Sequence, residues 1–252
     1  MSQKNAFYAQ SGGVTSVINA SACGVIETCR QHSDRIGNVF AGRNGIIGAL
    51  SEELIDTSKE SAQDIAELKN TPSGAFGSCR FKLESHEQNR REYERLIEVF
   101  QAHDIGYFFY NGGGDSADTC YKVSQLSEKM GFPVQAIHIP KTVDNDLPIT
   151  DNCPGFGSVA KSIAVSALEA SFDVRSMAKT STKVFVLEVM GRHAGWIAAA
   201  GGLIEDYGIP VLLLLPEIEF DHDRFIAAVR HKVESQGYCT IVVSEGARYA
   251  DG

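Results

Sequence analysis

The chain has 252 residues, 43% of them hydrophobic, which is enough apolar material for one large or two modest domains. Its formal net charge of -9 provides none of the basic excess that draws nucleic acid, so any anion-binding site has to be local. Residues 1–10 carry no charged leader, the strongest apolar run (209–215) is too short to cross a bilayer, and the six cysteines form no Cys-x-x-Cys pair, so a soluble cytoplasmic protein with reduced thiols and no membrane partner is expected.

Taken in chain order, apolar, β-branched or aromatic runs predict strands at 6–9, 39–41, 106–110, 134–139, 184–189, 210–215 and 240–243. Helical spacing predicts helices over 15–30, 87–103, 116–130, 156–177 and 221–235. The alternation predicts an α/β fold of parallel sheets covered by helices, with strands apolar on both faces. Glycines cluster at strand ends, and in open α/β sheets ligands bind there, where loops turn into helix N-termini. A domain boundary is placed in the loop at 151–156, giving domains 1–155 and 156–252.

Four loops carry candidate chemistry. Gln10-Ser11-Gly12-Gly13 follows the first strand, and its glycines let backbone amides approach a phosphate, or make a tight turn only. Tyr110-Asn111-Gly112-Gly113-Gly114-Asp115-Ser116 ends a strand with three glycines and an acid; Asp115 reads equally as a metal ligand beside phosphates or as a helix N-cap. Pro140-Lys141-Thr142-Val143-Asp144-Asn145-Asp146 gathers a cation, a hydroxyl, an amide and two carboxylates. Such a set suits proton removal and charge neutralisation, the alternative being a polar turn with nothing bound. Met190-Gly191-Arg192-His193-Ala194-Gly195 offers an arginine that could clamp a sugar phosphate or merely form a surface ion pair. His193 reads as a packing or hydrogen-bonding residue, Trp196 as core, and the charged stretch 84–95 as a solvated helix face.

In order and spacing these loops resemble the phosphofructokinase family across nearly the whole chain. The resemblance rests on Ser11-Gly12-Gly13, on Gly77-Ser78-Cys79-Arg80, on Thr142 to Asp146 as a Thr-Val-Asp-Asn-Asp signature, on Met190-Gly191-Arg192, and on Ser244-Glu245-Gly246. It implies two doubly wound, Rossmann-like, three-layer α/β/α domains, the first binding a phosphoryl donor and the second fructose 6-phosphate. By the same resemblance Asp144 is the general base for the sugar 1-hydroxyl, and Thr142, Val143, Met190, Gly191, Arg192 and Glu245 hold the sugar phosphate. Lys183 would reach a neighbouring subunit's site, implying a homo-oligomer, a dimer or tetramer. Gly13 and Arg80 would contact the donor, and Lys141 and Arg80 would stabilise the transferring phosphoryl group.

Members that use ATP carry glycine where this chain has Asp115 and Lys141, whereas diphosphate-using members resemble it at both places. The resemblance therefore implies inorganic diphosphate as donor, in glycolysis and reversibly in gluconeogenesis. An aspartate in the path of a nucleotide's α-phosphate opposes it by about 1 to 4 kcal/mol, roughly five-fold to several hundred-fold discrimination. The alternatives are an ATP-dependent kinase of the same fold and a non-catalytic sugar-phosphate sensor. Two departures stand out. Gly114 occupies the family's metal-binding aspartate position, leaving Asp115 and Asp146 as candidate Mg²⁺ ligands, and the chain stops at Gly252, before the family's later segments, which reads as a fragment.

Overall fold

Five of the seven residues of β1 (Lys4–Gln10) are buried, because both faces of this strand are covered. Phe7 and Ala9 point into one apolar cluster and Ala6 and Tyr8 into another, as the two-residue period of a strand requires. In this computed structural model, which describes residues 3–84 and 88–251, the chain divides into two compact units, Met1–Lys141 and Thr142–Gly252.

In the first unit β1 is the middle strand of a five-stranded sheet with β2 (Ile36–Gly42), β3 (Leu54–Asp56), β4 (Ile105–Gly112) and β5 (Gln135–Pro140), in the order β3-β2-β1-β4-β5. All neighbours run parallel except the β2–β3 pair. Helix α1 (Ile18–Gln31) and the short α3 (Ala62–Glu67) cover one face through Ala22, Ile26 and Ile65. The other face is covered by α2 (Ile46–Leu50), α4 (Arg90–Ala102) and α5 (Gly114–Lys129), through Ile46, Leu96, Phe100 and Val123. Phe7, Phe100 and Phe108 meet with ring centroids 5.4 to 5.8 Å apart, within the range for favourable aromatic pairs.

The second unit is built on α6 (Phe156–Met177), β6 (Val184–Val189), α7 (Trp196–Gly201), β7 (Val211–Leu214), α8 (His222–Gln236) and β8 (Cys239–Ser244). Its three strands are parallel in the order β6-β8-β7. The core joins Ala167 and Val174 of α6 and Ile197 and Ala198 of α7 to Val189, Val211 and Val242 of the sheet, while α8 buries no residue.

The seven predicted strands and five predicted helices all form. β3, α2, α3 and α7 were not predicted, since three to six residues are too few to display a period. The units part at Lys141 and Thr142 instead of within 151–156. Val143 packs into the second core, and Asn145 ties its own loop to that unit by accepting from Cys153 N at 2.7 Å and donating to the Asp151 carbonyl at 3.2 Å. Trp196, expected in the core, is 55% exposed at the start of α7, its ring in edge-on contact with Phe156 at 6.5 Å. Glu87, expected to open the helix at 87–103, lies outside the described residues, as do Ser85 and His86 of the charged stretch, Met1 and Ser2 of the leader region, and Gly252. Among the described residues no helix is long and apolar enough to cross a membrane.

Phe108 is fully buried where three rings meet. Phe108→Ala should lower unfolding stability by about 3–5 kcal/mol, read as a fall in denaturant midpoint. A shift worth under about 1 kcal/mol would show that this face is loosely packed.

Candidate functional site

The chain leaves β1 toward β2 on one side, and leaves β4 toward β5 on the other, so the crevice outside the carboxyl ends of β1 and β4 is a topological switch point. The first two glycine loops both emerge there. Beneath them the Asn111 side-chain amide donates to the Tyr8 hydroxyl at 2.9 Å, and Gln10 donates to it at 3.3 Å. Ser11 N donates to the Asn111 carbonyl at 2.9 Å, tying the two strand ends together. Burial pushes the Tyr8 hydroxyl up to about 12, against the lowering effect of Asn111 and Gln10, so it remains a neutral hydrogen-bonding group at physiological pH.

From this base Gly12 N donates to the Cys79 carbonyl at 2.8 Å, and the Ser78 hydroxyl donates to the Gly12 carbonyl at 2.6 Å. The Gly77-Ser78-Cys79-Arg80 segment is thereby stapled to the first loop. Gly12 has φ +77°, a conformation that favours glycine, and a Cβ there would stand 3.4 Å from Lys141 Nζ. At Gly13 a Cβ would lie 3.8 Å from an Arg80 guanidinium nitrogen. Arg80 and Lys141 thus come to the same loop, lining a cavity of about 320 Å³ together with Gly13, Lys82, Gly114 and Asp115.

Gly113 and Gly114 border this cavity, and a Cβ on either would meet nothing within 4 Å. Both stand at the N-terminus of α5, where backbone N–H groups favour anions. Asp115 is not the cap of α5. Gly113 takes that position without a side-chain bond, and Asp115 sits in the first turn with its carboxylate 78% exposed. Lys82 escaped the sequence analysis, and its ammonium stands 3.9 Å from the Asp115 carboxylate.

In the second unit, the pairing of Val189 with Ser244 sets the loops after β6 and β8 side by side. Gly191 N donates to the Glu245 carboxylate at 3.4 Å, Glu245 N donates to the Val189 carbonyl at 2.8 Å, and the Ser244 hydroxyl donates to the Gly191 carbonyl. Gly191 has φ +135° and its Cβ position is 2.5 Å from the Ala194 carbonyl oxygen, so no side chain fits. Met190, Arg192, His193 and Glu245 are exposed around this junction. Lys183 stands at the other end of β6, roughly 20 Å of strand away, with its ammonium on the Ala178 carbonyl. Within the 142–146 loop Val143 is buried, Asp144 is half-buried and Asp146 is exposed, at 3.5 Å from the Thr142 hydroxyl. Asn145, at φ +60° and buried, holds the loop's shape.

Among the described residues no group of three or more His, Cys, Asp or Glu could hold a metal by itself. Asp115 offers one exposed carboxylate over the open space at Gly113 and Gly114. That hard oxygen donor fits Mg²⁺, which keeps several waters and takes most other ligands from substrate phosphates.

Residues 5–252 match the family described as Phosphofructokinase. The chain is 74% identical over its whole length to a protein of Methylococcus capsulatus named pyrophosphate--fructose 6-phosphate 1-phosphotransferase, of which the match spans 60%. It is 72% identical to one of the same name from Halomonas elongata, spanning 61% of it. A crystal structure titled pyrophosphate-dependent phosphofructokinase, from Nitrosospira multiformis, superposes with a TM-score of 0.92 at 72% identity, over 99% of this chain and 62% of that one. The chain therefore spans about 60% of the length of the curated relatives it matches.

Gly113 is extended, at φ -87°, a backbone that alanine adopts freely. Gly113→Ala should leave thermal stability unchanged or slightly raised, by up to about 1 kcal/mol; a cavity that takes phosphate at this glycine would show calorimetric binding of the probe inorganic diphosphate weakened about ten-fold or more, roughly 1.4 kcal/mol. Unchanged binding would remove this glycine from the site.

Proposed function

Since the chain belongs to the phosphofructokinase family, we propose that it serves the transfer of a phosphoryl group from inorganic diphosphate to the 1-hydroxyl of fructose 6-phosphate, as a diphosphate-dependent 6-phosphofructokinase. The observation that carries this reading is that Asp115 and Lys141, the two positions where donor classes differ, line one cavity with Gly13 and Arg80. A carboxylate there opposes a nucleotide's α-phosphate, while a compact ammonium beside Gly12 neutralises a short donor that has no nucleoside to contribute binding. The names of the similar proteins support the same donor.

In this reading the donor lies over Gly13 and the N-terminus of α5, with Arg80 and Lys141 against its phosphate oxygens. The sugar's 1-oxygen bonds to the outer phosphorus as the bridging phosphorus–oxygen bond breaks, and inorganic phosphate leaves with that electron pair. Asp144 accepts the hydroxyl proton, and Arg80 and Lys141 stabilise the charge that gathers on the transferring group. Mg²⁺, held by Asp115 and, as a second candidate, Asp146, supplies further neutralisation of phosphate charge when bound.

Arg192, Met190, Gly191, Glu245, Thr142 and the backbone of Val143 hold the sugar phosphate. The adjacency of the loops after β6 and β8 supports grouping Met190, Gly191, Arg192 and Glu245. Lys183, at the opposite end of β6 from Arg192, serves the site of a neighbouring subunit in a homo-oligomer. The six free thiols, five of them buried, support a reducing compartment such as the cytoplasm.

A coupled assay on the full-length protein offering ATP or diphosphate separates the donors, and turnover should occur with diphosphate. Faster turnover with ATP would overturn the donor assignment. Asp144→Asn should lower kcat about 10²- to 10⁴-fold with little change in either KM. An undiminished kcat would remove Asp144 from its role as base.

A further inference from the structure

Residues 80–84 run without regular hydrogen-bonded structure, yet they alternate as a strand does. Phe81 and Leu83 turn inward onto the first core, Leu83 being 1% exposed, while Arg80, Lys82 and Glu84 turn outward. The apolar pair pins the segment, and the staple between Gly12 and residues 78 and 79 fixes its beginning. Lys82 is therefore carried to the same cavity as Arg80 by packing, independently of any charge partner.

We propose that Lys82 is a further donor-binding and specificity-determining residue, whose ammonium takes a phosphate oxygen of inorganic diphosphate on the Asp115 side of the cavity. The proposal deepens the reading above and rests on it. The Lys82 ammonium is shared between two carboxylates, at 3.6 Å from Glu84 and 3.9 Å from Asp115, and its side chain is 51% exposed. Neither contact is a tight hydrogen bond. Exposed pairs at this separation contribute little to stability, so exchanging them for a charge-assisted bond to a phosphate oxygen favours the donor.

The pairing also explains how Asp115 can stand at an anion site without expelling the anion. Lys82 covers the carboxylate from one side, while the N-terminus of α5 favours negative charge from the other. A bound donor would offer the lysine a phosphate oxygen in place of its two loosely held carboxylates. Arg80, Lys82 and Lys141 then face the donor together from the end of one pinned segment and the end of β5.

The test is diphosphate binding and turnover in the full-length protein with Lys82→Met, Lys82→Arg and Asp115→Asn, the first also combined with the third. Lys82→Met should raise the diphosphate KM and the calorimetric Kd for magnesium diphosphate about 10- to 100-fold. The KM for fructose 6-phosphate and the melting temperature should hardly move. Lys82→Arg should restore most of the loss. In the Asp115→Asn background the Lys82→Met loss should persist, because the lysine acts on the phosphate itself.

Unchanged diphosphate affinity in Lys82→Met would overturn the proposal, as would a loss that disappears once Asp115 is neutral, since Lys82 would then act only by holding that carboxylate. An unaltered protein that turns over ATP and ignores diphosphate would instead sink the donor reading, and this inference with it. The unaltered protein's donor preference, measured in the same series, separates the two failures.

Discussion

The Asn111 side-chain amide, donating to the buried Tyr8 hydroxyl, joins the ends of β1 and β4 at the point where the sheet's connections diverge. Everything above it inherits that tie. Ser11 is held by the Asn111 carbonyl, Gly12 by Cys79, and the Arg80 segment by Gly12, so a short chain of hydrogen bonds carries position from the sheet to the cationic cavity. Three amide side chains, of Gln10, Asn19 and Asn111, are buried there, and each has a partner for its amide nitrogen, while the Gln10 and Asn111 amide oxygens have none among the described residues. Such groups are costly when unpaired. Their presence under a glycine loop fits a rigid platform that fixes the loop's backbone.

Much of this was legible in the sequence for physical reasons. Strands covered on both faces read as short apolar runs, and an end marked by glycines shows where such a run opens to a ligand. Hence Gly13, Asp115 and Lys141 were visible as separate signals, which the β3-β2-β1-β4-β5 order brings together, whereas Arg80 entered only through the family resemblance and reaches them by the staple to Gly12. Lys82 was not visible, because its only local mark is the alternation of Phe81 and Leu83 with charged neighbours, in a segment too short and irregular to announce itself. The 142–146 loop mixed two functions that its residue types could not separate. Val143 is core and Asn145 is a structural clamp, whereas Asp144 and Thr142 keep some exposure. Trp196 shows the limit of composition, since a tryptophan at a helix start can remain on the surface.

The electrostatics run against the chain's overall sign. A formal charge of -9 repels an approaching anion at long range, but exposed charges are screened beyond about 8–10 Å at ordinary ionic strength. Inside that distance Arg80, Lys82 and Lys141 line the cavity with Asp115, and Glu84 stands 3.6 Å from the Lys82 ammonium. Local sign therefore decides, and it is positive. The carboxylate is the informative member of the set. Removing it would strengthen attraction for any polyphosphate indiscriminately, whereas keeping it makes attraction depend on whether the ligand brings a cation and how far its phosphates extend. In the proposed reading Asp115 would face the cation that a two-phosphate ligand brings, and Arg80, Lys82 and Lys141 would face its oxygens. On the same reading a longer nucleotide has to seat an additional phosphate against the same carboxylate, where the repulsion is not offset, so one acidic side chain in a basic cavity would set the length of the donor.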